Sequence, residues 1–501
     1  MDDGLIRLGR WAGLLAAVVV GCARPAPPPA QPPPAPRVAL FLGGDVRGQL
    51  GPCGCSEAMR GGLPRAASLV DTARKEGLPV ALLDAGDLVF PAATLSEAQV
   101  PGEERKALAL AEGLRRMGLV AVARGERDGA RGKVFADGLG LPWLGEGESR
   151  LLEVGGRKLG VVAGTSREAL ASGAARLSGL GAAYTVALVH APWAEAVKLA
   201  AAGTGVDLVL VDHGGEGPSE ENRLLRGDVP VLQLQDRGRS LGRVDLHFGG
   251  AGRFQLAAGE ADRDRELAAL DGRVELLRAQ LDAPGIADGL KRLRAAKLEE
   301  VISRRAAAAN RPVALPTGVN AATVRLLPVE PTLPESPAVA EVVAAYDRDV
   351  GALNLAWAKG HGAACPEPGP GESGYAGSGA CQDCHDEAWS TWQKTKHARA
   401  FTALEEKQKS LHLECVGCHV TGWQRPGGVC RLDALAAESH GVGCESCHGP
   451  GARHAESPEK VKLSAKVAEA TCRGCHDREN SPHFDHGSYL PLVLGLGHGA
   501  R

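Results

Sequence analysis

Four short cysteine motifs near the end of the chain are the residues best suited to chemistry. Each reads Cys-x-x-Cys-His. Two thiols one helical turn apart can each add to a vinyl group of one haem, while the adjacent histidine binds the iron from one face. The spacing therefore predicts four covalent c-type haems. The attachment residues are Cys381, Cys384, His385, Cys415, Cys418, His419, Cys444, Cys447, His448, Cys472, Cys475 and His476.

Two other uses of paired cysteines compete with haem attachment. Zinc knuckles share the Cys-x-x-Cys spacing, and so do redox-active dithiols. Neither requires a histidine directly after the second cysteine every time, and here it follows in all four motifs. The aromatic content of 4% is low, and the C-terminal stretch has few large apolar side chains with which to build a core. Four haems would supply that buried surface, so we expect this part of the chain to need them to fold.

The remaining histidines compete for the opposite faces of the haems. His454 follows His448 by six residues and cannot reach around the porphyrin of its own motif. If it is a ligand, it must bind a neighbouring haem. His397 and His498 are further candidates, whereas each of these could instead lie at the surface or contact a haem propionate. The reserve candidates are His412, His440, His483 and His486.

The C-terminal motifs and their surroundings resemble a known family. The stretches Gly379–His385, Lys396–Ala398 and Gly441–His454 are similar to the tetrahaem cytochromes typified by the electron acceptor of hydroxylamine oxidoreductase. The resemblance covers about residues 376–501. It implies a mostly helical and irregular domain with three bis-histidine haems and one haem whose second axial position is open or weakly filled.

The same resemblance implies particular distal ligands. His397 and His454 fall on the distal positions of the family, and His498 falls approximately on a third. The haem of His419 would then be the open one. His440 lies where the family has no required histidine, so this residue could close the open site.

The front half of the chain carries a second, weaker resemblance. It is similar to the 5′-nucleotidase-like metallophosphoesterases, whose fold is an α/β layered sandwich and whose two metals share a bridging aspartate. Asp87 corresponds to that aspartate. The matching segments are Gly44-Asp45, Gly48–Leu50, Gly61–Leu63, Asp84–Asp87, Gly125–Asp128, His190 and Asp212-His213.

Several positions depart from the metallophosphoesterase pattern. Arg47 and Arg127 replace a metal-binding histidine and the catalytic histidine, and Gly215 replaces the last histidine. Since a guanidinium group cannot bind a metal, the first site keeps only Asp45 and Asp87. The second site would be mononuclear. Its predicted ligands are Asp87, Glu126, His190 and His213. Three interpretations of this domain stay open: an inert scaffold, a domain that keeps one metal, and a working esterase.

Four cysteines lie outside the haem motifs and the N-terminal segment. Cys53 and Cys55 follow Asp45 closely and could form a reducible disulfide, bind a metal or a redox partner, or be structural. Cys365 and Cys430 are likewise unassigned, and their simplest use is a disulfide that joins the linker to the haem domain.

The segments that carry these residues follow an α/β pattern in the front half. Seven apolar runs alternate with helical stretches such as Ala66–Glu76 and Lys106–Met117, which is typical of an α/β domain. The runs are Val38–Leu42, Val80–Leu83, Leu119–Val122, Leu159–Val162, Val186–Val189, Val206–Val211 and Val229–Leu234. Leucine and valine residues from Leu267 to Leu281 then step by three and four, which predicts a helical hairpin broken at Pro284-Gly285. A further helix is expected from Ser336-Pro337 to about Trp357.

The N-terminus predicts export. Arg7 and Arg10 precede a short apolar run that ends in Val19-Val20-Gly21-Cys22, as in a lipoprotein signal peptide. Cys22 would be the lipidated first residue of the mature protein, whereas a plain secretory signal is the alternative. The predicted segments are residues 1–21, signal peptide; 22–37, proline-rich tether; 38–255, metallophosphoesterase-like domain; 256–358, helical connector; 359–376, linker; and 377–501, tetrahaem domain.

These features together predict an electron carrier. A net charge of −3 gives no electrostatic basis for binding nucleic acid. We expect a lipid-anchored protein of the periplasm or outer membrane of a Gram-negative bacterium that exchanges electrons with redox proteins. One alternative is a reductase that acts on a nitrogen or sulfur oxide at an open haem. The other is a phosphoesterase with a redox appendage.

Overall fold

The computed structural model describes residues 37–52, 59–214, 221–257, 260–283, 286–311, 314–477, 480–481, 484–495 and 497–498. All of them belong to one compact unit. The predicted signal peptide and the predicted tether up to residue 36 lie outside these residues. So do Cys22, Cys53, Cys55, Gly215, His483 and the predicted break at Pro284-Gly285. Within the described ranges, no helix combines the length and the apolar composition needed to span a membrane.

Two mixed β-sheets form the front of the chain. The seven-stranded sheet has the order β12-β13-β11-β1-β2-β3-β4, and the six-stranded sheet has the order β5-β6-β7-β8-β10-β9. The strands are β1 (Arg37–Gly43), β2 (Val80–Asp84), β3 (Leu119–Ala123), β4 (Trp143–Leu144), β5 (Ser149–Val154), β6 (Arg157–Ala163), β7 (Thr185–Val189), β8 (Leu208–Val211), β9 (Arg223–Leu225), β10 (Val231–Gln233), β11 (Ser240–Phe248), β12 (Ala251–Leu256) and β13 (Val319–Pro328).

The seven apolar runs predicted from the sequence are confirmed as strands. They correspond to β1, β2, β3, β6, β7, β8 and β10. β1 to β4 run parallel to one another, as do β6, β7, β8 and β10. A parallel strand that is covered on both faces is apolar along its whole length, which is why these strands are visible as continuous runs.

Helices cover the outer faces of the two sheets. The inner faces share one apolar cluster, to which Leu40 and Leu83 contribute from one sheet and Val161 and Leu188 from the other. Separate clusters pack helices on the outer face of each sheet. These helices are α1 (Leu63–Lys75), α2 (Val100–Met117), α3 (Gly132–Gly138), α4 (Arg167–Gly179) and α5 (Trp193–Ala201).

The predicted helical hairpin is present. α6 (Glu260–Asp282) and α7 (Asp288–Asn310) pack side by side through two small apolar clusters, one of which joins Val274 to Val301. An ion pair between Arg278 and Glu330 ties α6 to the segment after β13. The two helices are thus held together by apolar contacts, and a buried ion pair joins the hairpin to the segment after β13.

The segment between the hairpin and the linker differs from a purely helical connector. Residues Val319–Pro328 form β13, which pairs antiparallel with β11 and so belongs to the seven-stranded sheet. α8 (Pro337–His361) then packs on α1 and α2 through side chains that include Val339 and Tyr346. The hydroxyl group of Ser336 at its N-terminus donates to Asp71 Oδ2 at 2.6 Å.

Short helices and irregular loops make up the C-terminal region. One small apolar cluster there includes Phe401, Val416 and Leu432. A disulfide joins Cys365 to Cys430, as predicted. The helices are α9 (Asp386–Trp392), α10 (Ala400–Glu406), α11 (Leu413–His419), α12 (Cys444–His448), α13 (Ala452–Glu456), α14 (Glu469–Arg473) and α15 (His486–Tyr489).

Candidate functional site

The four Cys-x-x-Cys-His motifs lie in helical turns, which is the geometry that haem attachment would require. α11 ends in the second motif, and α12 consists of the third. In the first and fourth motifs the backbone N–H of the histidine donates to the backbone carbonyl of the first cysteine. The distances are 3.0 Å from His385 to Cys381 and 2.8 Å from His476 to Cys472. The turn therefore places the two thiols of a motif and its histidine on one side of the backbone.

Thiols from different motifs lie next to each other. A hydrogen bond links Cys381 of the first motif to Cys444 of the third. Another links Cys418 of the second motif to Cys475 of the fourth. The first and third motifs are therefore neighbours, and so are the second and fourth.

Two pairs of histidine rings are spaced as the axial ligands of one iron would be. The ring centres of His385 and His454 are 6.3 Å apart, and those of His397 and His476 are 6.1 Å apart. A metal-bound imidazole has its nitrogen about 2.0 Å and its ring centre roughly 3.1 Å from the metal, so two opposite ligands have ring centres about 6.2 Å apart. Each pair combines a histidine from an attachment motif with one predicted as a distal ligand.

Hydrogen bonds to backbone carbonyls orient three of the candidate ligands. Nδ1 of His419 lies 2.6 Å from the carbonyl oxygen of Ala400, Nδ1 of His448 lies 2.8 Å from that of Ser464, and Nδ1 of His454 lies 2.6 Å from that of Val461. An Nδ1–H that donates to a carbonyl fixes the tautomer with Nε2 available for a metal. The donor set therefore fits haem iron.

The third predicted distal ligand, His498, lies near two motif histidines. Burial lowers the pKa of His498, and the charges of His448 and His385 lower it further, because both rings are close. The ring of His440 stacks on Phe401 with centres 3.7 Å apart. Ring contacts within the described part of the chain pair His419 with no second histidine.

The other reserve histidines lie in different surroundings. His412 is buried and packs edge-on against Tyr346 of α8, 6.0 Å between ring centres. His486 begins α15 and its Nε2 is buried without a hydrogen-bond partner. Neither forms a ring pair with a motif histidine at the spacing of axial ligands.

The front cleft gathers carboxylates and histidines at the C-terminal ends of the strands. Asp87, His190 and Asp212 offer one ligand atom each within 4.8 Å of one another. His190 directly follows β7, Asp212 directly follows β8, and these neighbouring strands are parallel. Nδ1 of His190 is hydrogen-bonded to Asp212, which raises the pKa of the imidazole to about 9.

This group differs from the predicted mononuclear set. Asp212 belongs to it, whereas Glu126 is exposed and lies outside it. His213 is also outside the group. Its Nδ1 is hydrogen-bonded to Asp45 and its backbone N–H donates to Asp45 Oδ2 at 2.7 Å, while its Nε2 is buried without a hydrogen-bond partner. Burial would raise the pKa of Asp45, but His213 and Arg47 lower it below its ordinary value.

Two guanidinium groups occupy the carboxylates that would bind metals. Arg127 forms an ion pair with Oδ2 of Asp87, and its backbone N–H donates to Oδ1 at 2.9 Å. Arg47 donates to Asp45 Oδ1 at 3.3 Å and lies 3.2 Å from Oδ2 of Asp236. With both oxygens of Asp87 already engaged, the residues present do not fit a two-metal centre.

The backbone of the cleft is held in a conformation that non-glycine residues seldom adopt. Asp45, Arg47 and Asp87 have φ angles of 52°, 52° and 51°. Such residues cluster at functional sites, where the surrounding structure imposes them. The loops therefore hold these three side chains in a geometry that is typical of functional sites.

The C-terminal region matches a cytochrome family. Residues 380–449 match the model of the family described as cytochrome c554 and c-prime. Cytochrome c-554 of Nitrosomonas europaea is 32% identical over 142 residues, which cover 22% of this chain and 60% of that protein. This chain therefore spans about 60% of the length of that relative.

Solved structures are similar to the sheet-containing region at low identity. A 5′-nucleotidase precursor from Thermus thermophilus is 16% identical with a TM-score of 0.42, covering 66% of this chain and 61% of that chain. A calcineurin-like phosphoesterase from Bacillus subtilis is 13% identical with a TM-score of 0.41, covering 63% of this chain and 98% of that chain. The likeness lies in the mixed α/β sheets and bears on no metal ligand or activity.

Proposed function

We propose that this chain is a multihaem c-type cytochrome that transfers electrons through four covalently bound haems. The observation that carries the proposal is the 6.3 Å and 6.1 Å spacing of the ring pairs His385–His454 and His397–His476. Each pair brings together histidines from separate parts of the C-terminal region at the ring spacing expected for two ligands of one iron. The similarity to cytochrome c-554 supports the same assignment.

The residues divide into attachment, proximal and distal roles. His385, His419, His448 and His476 would bind the irons from the motif side, with His454, His397 and His498 opposite the first, fourth and third. Bound haem supplies one-electron redox chemistry, and two strong axial histidines keep it low-spin. Because the first and third motifs adjoin, as do the second and fourth, the haems would lie in two close pairs. Close pairs favour transfer along the chain of haems.

Spectra of the purified holoprotein test this proposal. We expect electron paramagnetic resonance to show mostly low-spin ferric haem. His454→Ala should convert one haem to a high-spin, cyanide-binding form, because His385 would lose its partner. His361→Ala, which removes an exposed histidine at the end of α8, is the control. A His454→Ala spectrum identical to that of the control would contradict the proposed ligation.

A second candidate function uses the haem of His419. His440 stacks on Phe401, and this observation favours an open position at that haem. An open haem could bind a small nitrogen or sulfur oxide and reduce it. Titration with nitric oxide distinguishes the two functions, since a reductase needs a rapidly accessible haem and a pure carrier does not. Binding of no nitric oxide by the reduced protein would exclude the reductase.

We propose that the front region is a docking or sensing scaffold without phosphoesterase activity. The pairing of Arg127 with Asp87 supports this proposal, since it engages the carboxylate that would bridge two metals. Elemental analysis should find at most one non-haem metal per chain. Two such metals, together with phosphoester hydrolysis that Asp87→Ala abolishes, would restore the enzyme hypothesis.

Export and anchoring stay part of the proposal. We propose that lipidated Cys22 holds the protein at the periplasmic or outer membrane surface, where it meets redox proteins and no nucleic acid. Cys22→Ser should move the protein from the membrane to the soluble fraction on cell fractionation. Unchanged membrane association would contradict the anchor. The domain boundaries after residues 255, 358 and 376 likewise stay predictions.

A further inference from the structure

Glu445 lies inside the third attachment motif, and its carboxylate is buried among backbone amides. The residue is 3% exposed. Its Oε1 accepts hydrogen bonds from the N–H groups of Ala376 at 2.8 Å and Gly451 at 2.7 Å, and its Oε2 accepts one from Gly377 at 2.8 Å. Hydrogen bonds to an ionised acceptor are roughly twice as strong as neutral ones, so three of them make a strong anchor.

The three donors belong to the two segments that carry the ligands of the first haem. Ala376 and Gly377 lead into the turn Ser378–Cys381, which begins the first attachment motif. Gly451 directly precedes α13, which carries His454. One side chain from the third motif therefore joins the segment of the proximal ligand to the segment of the distal ligand.

Neighbouring contacts show how closely this junction is packed. A Cβ atom on Gly451 would lie 3.3 Å from Oε1 of Glu445, which is a tighter contact than most side chains make, so the backbone approaches the carboxylate closely. The first turn of α13 also bonds to the linker, from Ala452 N–H to the Gly374 carbonyl at 3.0 Å. α13 is thus fixed in position against the linker, and His454 with it.

We propose that Glu445 is a positioning residue for the first haem. It holds α13 against the linker so that His454 stays opposite His385, and its negative charge favours the ferric state and so lowers the reduction potential of that haem. The inference rests on the proposed bis-histidine ligation. Glu445 would thus align a different haem from the one that its own Cys-x-x-Cys-His motif attaches.

Two substitutions separate alignment from charge. Glu445→Ala removes all three acceptor bonds and should release His454, which adds about one high-spin, cyanide-binding haem per chain. Glu445→Gln keeps the shape of the side chain and one oxygen that can accept from Ala376 and Gly451, and it loses only the bond from Gly377. It should therefore stay low-spin while the potential of one haem rises. Glu456→Ala is the matched control, because Glu456 is an exposed carboxylate on α13, two residues after His454.

The outcomes are read from redox titrations and cyanide binding of the holoproteins. If His454→Ala opens one haem and Glu445→Ala behaves like Glu456→Ala, the positioning role is wrong although the ligation is right. If His454→Ala opens no haem, the ligation itself fails. Should Glu445→Ala yield no holoprotein, Glu445→Gln decides: a raised potential at one haem supports the proposal, and potentials equal to those of Glu456→Ala overturn it.

Discussion

Lys106 of α2 is a buried cation where the front of the chain contacts the C-terminal region. Its ammonium group donates to Glu103 of the same helix at 2.8 Å and to Glu414, beside the second attachment motif, at 3.0 Å. Lys106 is 6% exposed and Glu103 is 9% exposed. Burial alone would lower the pKa of Lys106, but the carboxylates of Glu414 and Glu103 raise it above its ordinary value. The lysine therefore stays charged and neutralises Glu103.

Lys106→Met keeps most of the aliphatic stem and removes the charge. Glu103 would then be buried without a cation, and its Oε2 already has no hydrogen-bond partner. Removing one partner of a buried ion pair costs about 3–5 kcal/mol, because the other charge stays buried and unpaired. Glu414 is half-exposed and can recover solvent, so it adds little to this loss.

The loss should depend on pH in a defined direction. Burial raises the pKa of Glu103 above its ordinary value of 4.5, and removing the lysine raises it further. A carboxyl group with a raised pKa in the folded state binds a proton more tightly when folded, so protonation favours folding. The destabilisation of Lys106→Met relative to the unchanged chain is therefore largest at pH 8 and shrinks toward pH 5.

Urea unfolding followed by far-ultraviolet circular dichroism at both pH values measures this loss. Lys133→Met is the control, because Lys133 is 80% exposed in its side chain and pairs with Asp137 one helical turn away. The control should change stability by no more than about 0.5 kcal/mol. Equal effects of the two substitutions at pH 8, or a larger loss for Lys106→Met at pH 5, would refute the reasoning.

Three further predictions follow from single contacts. Replacing Cys365 and Cys430 together by serine opens a loop of 65 residues and should cost about 4 kcal/mol by loop entropy; an unchanged denaturant midpoint of the haem absorption would contradict this. Asp128→Ala leaves three buried N–H donors without their acceptor and should lower the free energy of unfolding by roughly 3 kcal/mol or more, measured by circular dichroism. A loss no larger than that caused by replacing an exposed aspartate with alanine would contradict this prediction. Arg127→Ala frees Asp87 and should raise Mn²⁺ affinity in calorimetry, whereas equal affinity would show that the guanidinium does not block the site.

The sequence predicts the strands of the front region better than the segment that follows. Parallel strands such as β7 and β8 are covered on both faces, so their apolar runs are visible without tertiary information. β13 was not predicted, because its residues pair antiparallel with β11, from Ser240–Pro328 to Phe248–Asn320, and that pairing is set by distant sequence. Its small alanine side chains also lack a strong strand signal.

Site residues that are close together in the sequence could likewise be predicted, whereas those that only the fold brings together could not. The residues of each cysteine motif are adjacent in the sequence, so the proposed attachment residues could be predicted without knowledge of the fold. Asp212 was not named as a ligand, although its place after an apolar run next to that of His190 is a signal that could have found it. The three donors to Glu445 come from backbone segments far apart in the chain, and nothing in the motif itself predicts them.

The mass of the denatured mature protein tests the central claim most directly. Thioether bonds survive denaturation, so every covalently attached haem adds its mass to the chain. After expression in a host that matures c-type cytochromes, we expect the mass of the denatured protein to equal that of the polypeptide plus four haems. A protein that carries fewer than four haem equivalents, or that loses them on denaturation, would contradict the assignment of all four motifs.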